Sequence, residues 1–170
     1  MRLRHAKTLI TGKPGVGKTT LARKIVERIQ PVPMAGFYTS EIKSRGHRSG
    51  FELRGLNGDR RLLAHVDFES RHRVGKYGVD TPGFEVFLGK LDLFNPDVQL
   101  IIIDEIGKME LFSKRFRRLV IETLRTNKSM LATITLKGEG FVQEIKQRPD
   151  VHLLTATRDN RDRLLSEIIG

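Results

Sequence analysis

The sequence predicts an α/β protein with three layers, in which helices cover both faces of a central sheet whose strands are mostly parallel. Two observations lead to this prediction. Short β-prone runs alternate along the chain with segments whose apolar residues recur at helical spacing. In addition, residues 100–103 are wholly apolar and mostly β-branched, which indicates a strand buried on both faces, as in a parallel sheet.

The composition is that of one globular domain, and we expect residues 1–170 to form a single domain. Hydrophobic residues make up 38% of the chain, enough for a sizeable core, and charged residues make up 30%. The net charge of +11 favours an anionic partner such as a nucleotide or a nucleic acid. The lack of cysteine excludes disulfides, thiolate metal sites and thiol nucleophiles.

The chain shows neither a signal peptide at its start nor an apolar run approaching the roughly 20 residues that span a bilayer. We therefore expect a cytoplasmic protein with no membrane partner. Nothing in the sequence identifies an interface between subunits, and a monomer is the favoured state.

The first predicted elements are a strand, a glycine-rich turn and a helix. Residues 8–11 form a β-prone run that enters the turn. From Thr19, apolar residues four apart share one helical face, namely Leu21, Ile25 and Ile29. Gln30 and Pro31 end this helix, because a proline disfavours helical geometry in the residue before it.

The next stretch has antiparallel character. Residues 37–40 predict a strand and residues 45–50 a basic turn. An Asn-Gly pair at residues 57–58 favours a hairpin because both residues tolerate positive φ, and apolar residues alternate with polar ones over residues 62–68. We interpret residues 37–68 as antiparallel strands that are inserted in, or extend, a chain of alternating strands and helices.

The second half of the chain returns to that alternation. Thr81 is predicted as a helix N-cap, with proline at the first helical position after it. After the strand at residues 100–103, Ser113 caps a helix whose apolar residues share one face. The remaining predicted elements are a strand at residues 130–134, a helix at 141–147, a strand at 151–155 and a last helix from Asn160.

Residues 12–19, Gly-Lys-Pro-Gly-Val-Gly-Lys-Thr, match the pattern of a phosphate-binding loop at every fixed position. The loop follows a predicted strand and opens a predicted helix. Its glycines let backbone N–H groups converge on phosphates, and the helix N-terminus adds partial positive charge. A glycine-rich turn without a ligand is the alternative. The predicted nucleotide contacts in this segment are Gly12, Lys13, Pro14, Gly15, Val16, Gly17, Lys18, Thr19 and Thr20.

Three residues of this segment have separate predicted roles. Lys18 would reach the β- and γ-phosphates and neutralise charge that develops during a reaction, which makes it a catalytic candidate. The Thr19 hydroxyl would ligate Mg²⁺, the expected cofactor. Thr20 is placed for the α-phosphate.

Two acidic residues follow the buried strand. The Asp104 carboxylate would emerge at the carboxyl edge of the sheet, where ligands of open α/β folds bind, and we expect it to hold the metal. Glu105 comes directly after it and would polarise a water in line with the γ-phosphate as a general base, which favours hydrolysis. The alternatives are a helix cap or ion pair for Asp104 and solvated surface charge for Glu105.

Several segments together resemble one known family. Residues 104–111, Asp-Glu-Ile-Gly-Lys-Met-Glu-Leu, placed after such a loop, resemble the thermophilic-type, or cancer-related, nucleoside-triphosphatase family. Residues 36–41, 74–79 and 160–162 also fit that family, so the resemblance runs over nearly the whole chain.

The resemblance implies a single-domain P-loop protein that hydrolyses nucleoside triphosphates to the diphosphate and phosphate. It also implies dependence on Mg²⁺ and little preference among ATP, GTP, CTP and UTP. The nucleotide-contacting segments of the family fall here on residues 12–19 and about 100–107, which adds Ile106 and Gly107 to the predicted site.

A second group of candidates comes from loops near these motifs. Lys108 would approach the γ-phosphate, with a surface lysine as the alternative. Arg71, Arg73 and Lys76 flank the middle loop, and one of them would supply a finger-like cation to the reaction. Solvated loop charge is the alternative for all three.

The ends of the last strands carry further candidates. Asn160, with Arg161, would contact the base of the nucleotide, and helix capping by Asn160 is the alternative. Thr133 or Thr135 would sense the γ-phosphate, although β-propensity alone explains both threonines. The histidines, which lack metal-ligand spacing and are interpreted as surface or packing residues, are His5, His47, His65, His72 and His152.

Two other functions stay open beside hydrolysis. A nucleotide or small-molecule kinase would need an acceptor pocket and a mobile lid, for which residues 43–76 are the candidate. A nucleic-acid-associated protein would use the triphosphate site as a switch or motor, although no aromatic-rich basic motif for stacking bases is present. Its contacts with RNA or DNA would be Arg45, Arg48, Arg60, Arg61, Arg115, Arg117 and Arg118.

Overall fold

The computed structural model describes residues 1–29 and 31–170. A short 3₁₀ helix, Glu110–Phe112, follows the seventh strand. The predicted end of the first helix at Gln30 lies outside the described residues. In chain order the elements are β1 (Lys7–Thr11), α1 (Lys18–Ile29), β2 (Met34–Ser44), β3 (His47–Gly55), β4 (Arg60–His65), β5 (Arg73–Val74), β6 (Tyr77–Val79), α2 (Thr81–Gly89), β7 (Leu100–Ile106), α3 (Lys114–Arg125), β8 (Ser129–Ile134), α4 (Phe141–Lys146), β9 (His152–Thr155) and α5 (Arg161–Ile168).

The strands form one mixed sheet in the order β5-β6-β4-β3-β2-β7-β8-β1-β9. Adjacent strands are parallel along the part β2-β7-β8-β1-β9. They are antiparallel along the part β5-β6-β4-β3-β2. The predicted α/β class is therefore confirmed. The antiparallel strands extend the same sheet at one edge, and β2 joins the two parts because it pairs with β7 on one side and β3 on the other.

Helices pack on both faces of the sheet and create two separate cores. Leu9 packs in the core beneath α2, α3 and α4, whereas its neighbour Ile10 packs in the core beneath α1 and α5. Residues 100–103 alternate between the two cores in the same way, since successive side chains of a strand point to opposite faces. The continuous apolar run is explained by this cover on both sides.

The capping of α2 differs from the prediction by one residue. Asp80, and not Thr81, occupies the N-cap position, and its carboxylate accepts a hydrogen bond from the Gly83 backbone N–H at 3.0 Å. Pro82 therefore takes the second helical position. Aspartate and threonine are both good N-caps, so two adjacent candidates could not be separated by residue type.

The hairpins of the antiparallel part confirm one predicted turn and correct the other. The turn at residues 56–59 joins β3 and β4 as predicted. The preceding turn comprises only Arg45 and Gly46, whose φ angles of 51° and 79° are those of a two-residue hairpin connection. Residues 47–50, predicted as turn, are the first residues of β3.

Side chains hold α3 at both ends. Ser113 Oγ accepts a hydrogen bond from the Phe116 backbone N–H at 3.0 Å, which confirms the predicted N-cap. At the other end the buried Lys7 ammonium donates to the carbonyl oxygens of Thr123 and Thr126, each at 3.0 Å, and to that of Lys128. Burial lowers the pKa of Lys7. The lysine ties β1 to a helix C-terminus, where carbonyl groups lack partners and a cation is favoured.

Candidate active site

The loop between β1 and α1 lies at the carboxyl end of β1, between β8 and β9 in the parallel part of the sheet. Gly17 has a φ of 98°, a conformation that side chains rarely adopt. A Cβ on Gly12 would lie 2.7 Å from the carbonyl oxygen of Ala156, so the loop packs closely against the chain after β9. Because α1 begins at Lys18, the backbone N–H groups at its start, which have no partner inside the helix, lie at the end of this loop.

Asp104 is buried at the carboxyl end of β7, and three threonines surround it. Thr19 Oγ1 donates to the carboxylate at 3.0 Å from Oδ1 and 2.9 Å from Oδ2. Thr133 Oγ1 donates to Oδ1 at 2.6 Å, and the Thr39 backbone N–H donates to Oδ2 at 3.2 Å. Burial raises the pKa of Asp104, and these hydrogen bonds oppose the increase. The carboxylate is thereby fixed beside Thr19, as the prediction of a shared metal site requires.

Lys18 and Glu105, the two predicted catalytic residues, are in direct contact. Lys18 Nζ lies 3.3 Å from Glu105 Oε2 and donates a hydrogen bond to the Gly12 carbonyl oxygen at 3.2 Å. The Lys18 side chain is 10% exposed and that of Glu105 is 35% exposed, so water reaches the carboxylate more easily than the ammonium. The structure brings these residues together although 87 positions separate them in the chain.

A second carboxyl group, that of Glu110, lies beside Glu105 and is not predicted. Glu110 is only 4% exposed. A Cβ on Gly107 would lie 2.6 Å from Glu105 Oε1 and 3.0 Å from Glu110 Oε2, so both side chains flank one glycine. Burial raises the pKa of Glu110 well above its ordinary value, and the negative charge of Glu105 raises it further. Its apolar neighbours in sequence, Met109 and Leu111, are the only signal that pointed to burial.

The arrangement offers a place for Mg²⁺. Thr19 and Asp104 present hydroxyl and carboxylate oxygens within hydrogen-bond distance of each other, and hard oxygen ligands suit this cation. Within residues 1–29 and 31–170 no cluster of three or more histidine, aspartate or glutamate side chains could hold a metal. Few protein ligands are typical of Mg²⁺ sites whose other ligands are waters and substrate phosphates, so these two residues fit the ion.

The chain after β9 forms the other side of the loop. Asn160 accepts a hydrogen bond from the Thr157 backbone N–H at 2.7 Å and donates to the Thr155 carbonyl oxygen at 2.8 Å. Asn160 occupies the predicted N-cap position of α5, but its side chain makes no capping hydrogen bond to that helix. The contact of Asn160 with a nucleotide stays a prediction.

Comparison with known proteins identifies the family. A family model described as NTPase matches residues 7–169. The chain belongs to this NTPase family. The nucleoside-triphosphatase THEP1 of Thermotoga sp. (strain RQ2) is 43% identical over 165 residues, which cover 96% of this chain and 94% of that protein. The human cancer-related nucleoside-triphosphatase is 42% identical over 176 residues, covering 94% of this chain and 93% of that protein.

A solved NTPase of the family has the same fold. The crystal structure of THEP1 from the hyperthermophile Aquifex aeolicus superimposes with a TM-score of 0.80 at 38% identity, covering 95% of each chain. The resemblance first indicated by residues 104–111 is thereby confirmed.

Several weaker candidates of this NTPase are engaged within their own loops. The Arg73 guanidinium donates to the carbonyl oxygens of Phe68 and Lys76, at 3.0 and 2.9 Å, which leaves fewer N–H groups for a phosphate. Thr135 Oγ1 donates to the Lys137 carbonyl oxygen at 3.2 Å, unlike Thr133. Four histidine rings pack against other rings, as predicted, in the pairs His5–His152, His65–Phe68 and His72–Phe112.

Other candidates of this NTPase lie at the site or near it without a contact that decides their role. Thr20, Lys108 and Arg71 are exposed, whereas Ile106 and Gly107 are buried. Their contacts with a nucleotide stay predictions. Sequence reasoning missed Glu110 and Thr39, although both lie in segments that resemble the family, because no role was assigned to either residue and both reach the site through the folding of the chain.

Proposed function

We propose that this protein hydrolyses nucleoside triphosphates to nucleoside diphosphate and phosphate, with Mg²⁺ and with little preference for the base. The proposal rests on one observation, the 3.3 Å contact between Lys18 and Glu105 at a phosphate-binding loop. A cation that binds phosphate and a carboxylate that activates water are the two groups that this hydrolysis needs. The names of the relatives, nucleoside-triphosphatases, support the same activity.

Substrate binding would use the loop and the start of α1. The backbone N–H groups of residues 12–19, except at Pro14, which has none, would hold the phosphate oxygens, and Lys18 would neutralise charge on the β- and γ-phosphates. These contacts are made to phosphates alone and do not distinguish bases. They therefore support hydrolysis of ATP, GTP, CTP and UTP alike.

Glu105 would act as the general base. Its partly exposed carboxylate would accept a proton from a water molecule, whose oxygen forms a bond to the γ-phosphorus. The bond between the γ-phosphorus and the bridging oxygen breaks, and its electron pair leaves with the diphosphate. Lys18 stabilises the negative charge on the phosphate oxygens and also holds Glu105 in place.

Thr19 and Asp104 are the residues that would hold Mg²⁺. When bound, the ion would neutralise charge on the β- and γ-phosphate oxygens. Thr133 and Thr39 orient Asp104 toward Thr19 through the hydrogen bonds described above.

The experiment that tests the proposal is steady-state phosphate release by Glu105→Gln with each of the four nucleotides. We expect release to fall about 100-fold or more, because the amide cannot accept the proton, while nucleotide binding is kept. Glu122→Gln, which changes an exposed carboxylate on α3, is the matched control and should match the wild type. Undiminished release by Glu105→Gln would remove Glu105 from the mechanism.

A second candidate function is phosphoryl transfer to a small molecule, which a cavity beside the antiparallel strands favours. The cavity has a volume of about 720 Å³ and is lined by residues 67–72 and by the start of α2. Its loop wall falls within residues 43–76, the stretch given above as the candidate for an acceptor pocket and a mobile lid. Product analysis separates the two functions, since a hydrolase releases inorganic phosphate without an added acceptor and a kinase forms a phosphorylated acceptor.

The association with RNA or DNA stays a prediction. Three of the proposed arginines are in ion pairs, which reduces the charge that they offer to a nucleic acid: Arg48–Glu41, Arg60–Glu52 and Arg61–Asp80. Steeply salt-dependent affinity for RNA or DNA would support it.

None of the helices in the described part of the chain has the length and apolarity of a membrane-spanning segment. A cytoplasmic location and a monomeric state also stay predictions.

A further inference from the structure

The side chain of Arg161, the first residue of α5, lies against the phosphate-binding loop. Its Nη1 atom is 2.8 Å from the position that a Cβ on Gly17 would take, and its Cζ atom is 3.8 Å from it. The guanidinium therefore rests on the backbone of the residue that precedes Lys18. Glycine at position 17 makes this close approach feasible, because any side chain there would displace the arginine.

The Arg161 guanidinium has no protein partner that would explain its position. Across residues 1–29 and 31–170, no carboxylate lies within 4.0 Å of it and no hydrogen bond from it to the protein is formed. Arg60 and Arg148, by contrast, each contact a carboxylate at 2.8 Å. The side chain thus lies on the loop without an interaction that stabilises it there.

The electrostatics at this position favour an anion. A cation at a helix N-terminus is disfavoured, since the helix dipole places partial positive charge there, and Arg161 occupies that position in α5. The start of α1 and the ammonium of Lys18 add positive charge on the same loop. All three groups would be stabilised by one phosphate chain held between them.

The loop before α5 is fixed in a way that sets the position of Arg161. The two hydrogen bonds of the Asn160 side chain, to the backbone of Thr155 and Thr157, hold the segment of residues 155–160 together. The Ala156 backbone N–H donates to the Thr11 carbonyl oxygen at 2.8 Å, which attaches the segment to β1. Asn160 therefore positions Arg161, and the Arg161 side chain is the one that reaches the phosphate-binding loop.

We propose that Arg161 is a phosphate-contacting residue of the nucleotide site, an inference that rests on the proposed function. A planar guanidinium donates two parallel hydrogen bonds to phosphate oxygens and keeps its charge at all relevant pH values. In the sheet, β9, the strand that precedes α5 in the chain, lies on one side of β1, whereas β7, which contains Asp104 and Glu105, lies on the other side beyond β8. Arg161 therefore holds the phosphates from the side away from the attacking water, and it contributes to binding more than to the chemical step.

The binding test compares ADP and inorganic tripolyphosphate as probes, each titrated calorimetrically with Mg²⁺ into wild type and variants. We expect Arg161→Ala to weaken both probes about ten-fold or more, as expected for loss of a charged hydrogen bond, and Arg161→Lys to weaken them less. Arg163→Ala removes the same charge from another exposed residue in the first turn of α5 and should change either affinity less than about two-fold.

Two results would overturn the proposal. If Arg161→Ala binds both probes as tightly as Arg163→Ala does, Arg161 makes no contact with the ligand. If Arg161→Ala weakens ADP but leaves tripolyphosphate unchanged, the arginine contacts the nucleoside and not the phosphates.

Kinetics and stability give readouts that a purely structural role would not produce. We expect Arg161→Ala to raise KM about ten-fold while kcat stays within about three-fold of the wild type. Urea unfolding without ligand should be unchanged, because Arg161 has no partner in the described parts of the protein. A fall in kcat with unchanged KM would contradict the assignment.

Lys18→Ala separates this inference from the proposed function. If the wild type binds tripolyphosphate and Lys18→Ala does not, the phosphate site stands and the Arg161 variants alone decide the inference. If Lys18→Ala binds as tightly as the wild type, both the proposed function and the role of Arg161 are wrong.

Discussion

Thr133 is completely buried, and its hydroxyl donates to Asp104 at 2.6 Å. Thr133→Val keeps the shape of the side chain and removes this donor from a buried carboxylate. We expect the free energy of unfolding to fall by about 1–3 kcal/mol, because the carboxylate loses a hydrogen bond that water cannot easily replace. Because Asp104 is the proposed ligand of Mg²⁺, phosphate release should also fall about ten-fold or more, the effect expected when a residue that orients a metal ligand is lost.

Thr135→Val is the control for this prediction. Thr135 directly follows β8, the strand that contains Thr133, but its hydroxyl contacts the Lys137 carbonyl oxygen and not Asp104. We expect nearly wild-type phosphate release from it. Equal activities in the two valine variants would show that the hydrogen bond from Thr133 does not orient Asp104.

The buried carboxyl group of Glu110 should make the stability of the protein depend on pH. Its pKa is raised in the folded protein, mainly by burial, so the unfolded chain ionises this group first as the pH rises past about 4.3. Stability from Glu110 is therefore fully present below that pH and is lost as the pH rises toward the folded pKa. Glu110→Gln cannot ionise and should lose less stability than the wild type between pH 4.5 and pH 8.

Urea unfolding at several pH values measures this difference. Glu122→Gln removes an exposed carboxyl group and should leave the wild-type pH dependence unchanged. Parallel curves for the wild type and Glu110→Gln would mean that Glu110 ionises as readily in the folded protein as in the unfolded chain.

At the scale of the elements, β1 and α3 are joined by the Lys7 ammonium. Lys7→Met keeps an unbranched side chain of similar length but leaves the carbonyl oxygens of Thr123, Thr126 and Lys128 without this donor. We expect a loss of about 2 kcal/mol or more in the free energy of unfolding, measured by chemical denaturation. Lys24→Met, on an exposed face of α1, should change stability by less than about 0.5 kcal/mol. A stable Lys7→Met variant would show that these carbonyl groups find other partners.

At the scale of the whole molecule, His152 of β9 stacks on His5, which precedes β1, with ring centroids 3.9 Å apart. Burial lowers the pKa of His152, and the positive charge of His5 lowers it further. The unfolded chain binds this proton near pH 6.5, so the stability from His152 is fully present above that pH and is lost as the pH falls from there through the lower folded pKa. We expect His152→Gln to lose less stability than the wild type between pH 7.5 and pH 5, as measured by urea unfolding. An equal loss in both proteins would contradict this.

The strands and helices of the parallel part could be predicted because their sequence periods are long and consistent. Residues 100–103 had to be buried on both faces, and the structure places a core on each side of them. β5 and β6, with two and three residues, are too short to show a period and exist through pairing with their neighbours. The choice between Asp80 and Thr81 as N-cap depended on backbone geometry that residue types do not specify.

The site was partly predictable for a similar reason. The phosphate-binding loop and the Asp104-Glu105 pair are local motifs. Because the pair follows a buried apolar run, it could be expected at the carboxyl edge of the sheet. Thr39 and Glu110 lie in segments that resemble the family, but their place in the site could not be predicted, because their contacts depend on how β2 and the 3₁₀ helix fold back on β7. Arg161 comes from a helix more than 140 residues along the chain from Gly17, and only the fold brings them together.

The most direct test of this account is a crystal structure with a non-hydrolysable nucleoside triphosphate and Mg²⁺. It should show the phosphates on the backbone amides of residues 12–19, beside Lys18, with the metal between Thr19 and Asp104. A nucleotide bound elsewhere, for example in the 720 Å³ cavity beside residues 67–72, with the loop free of phosphate, would contradict it.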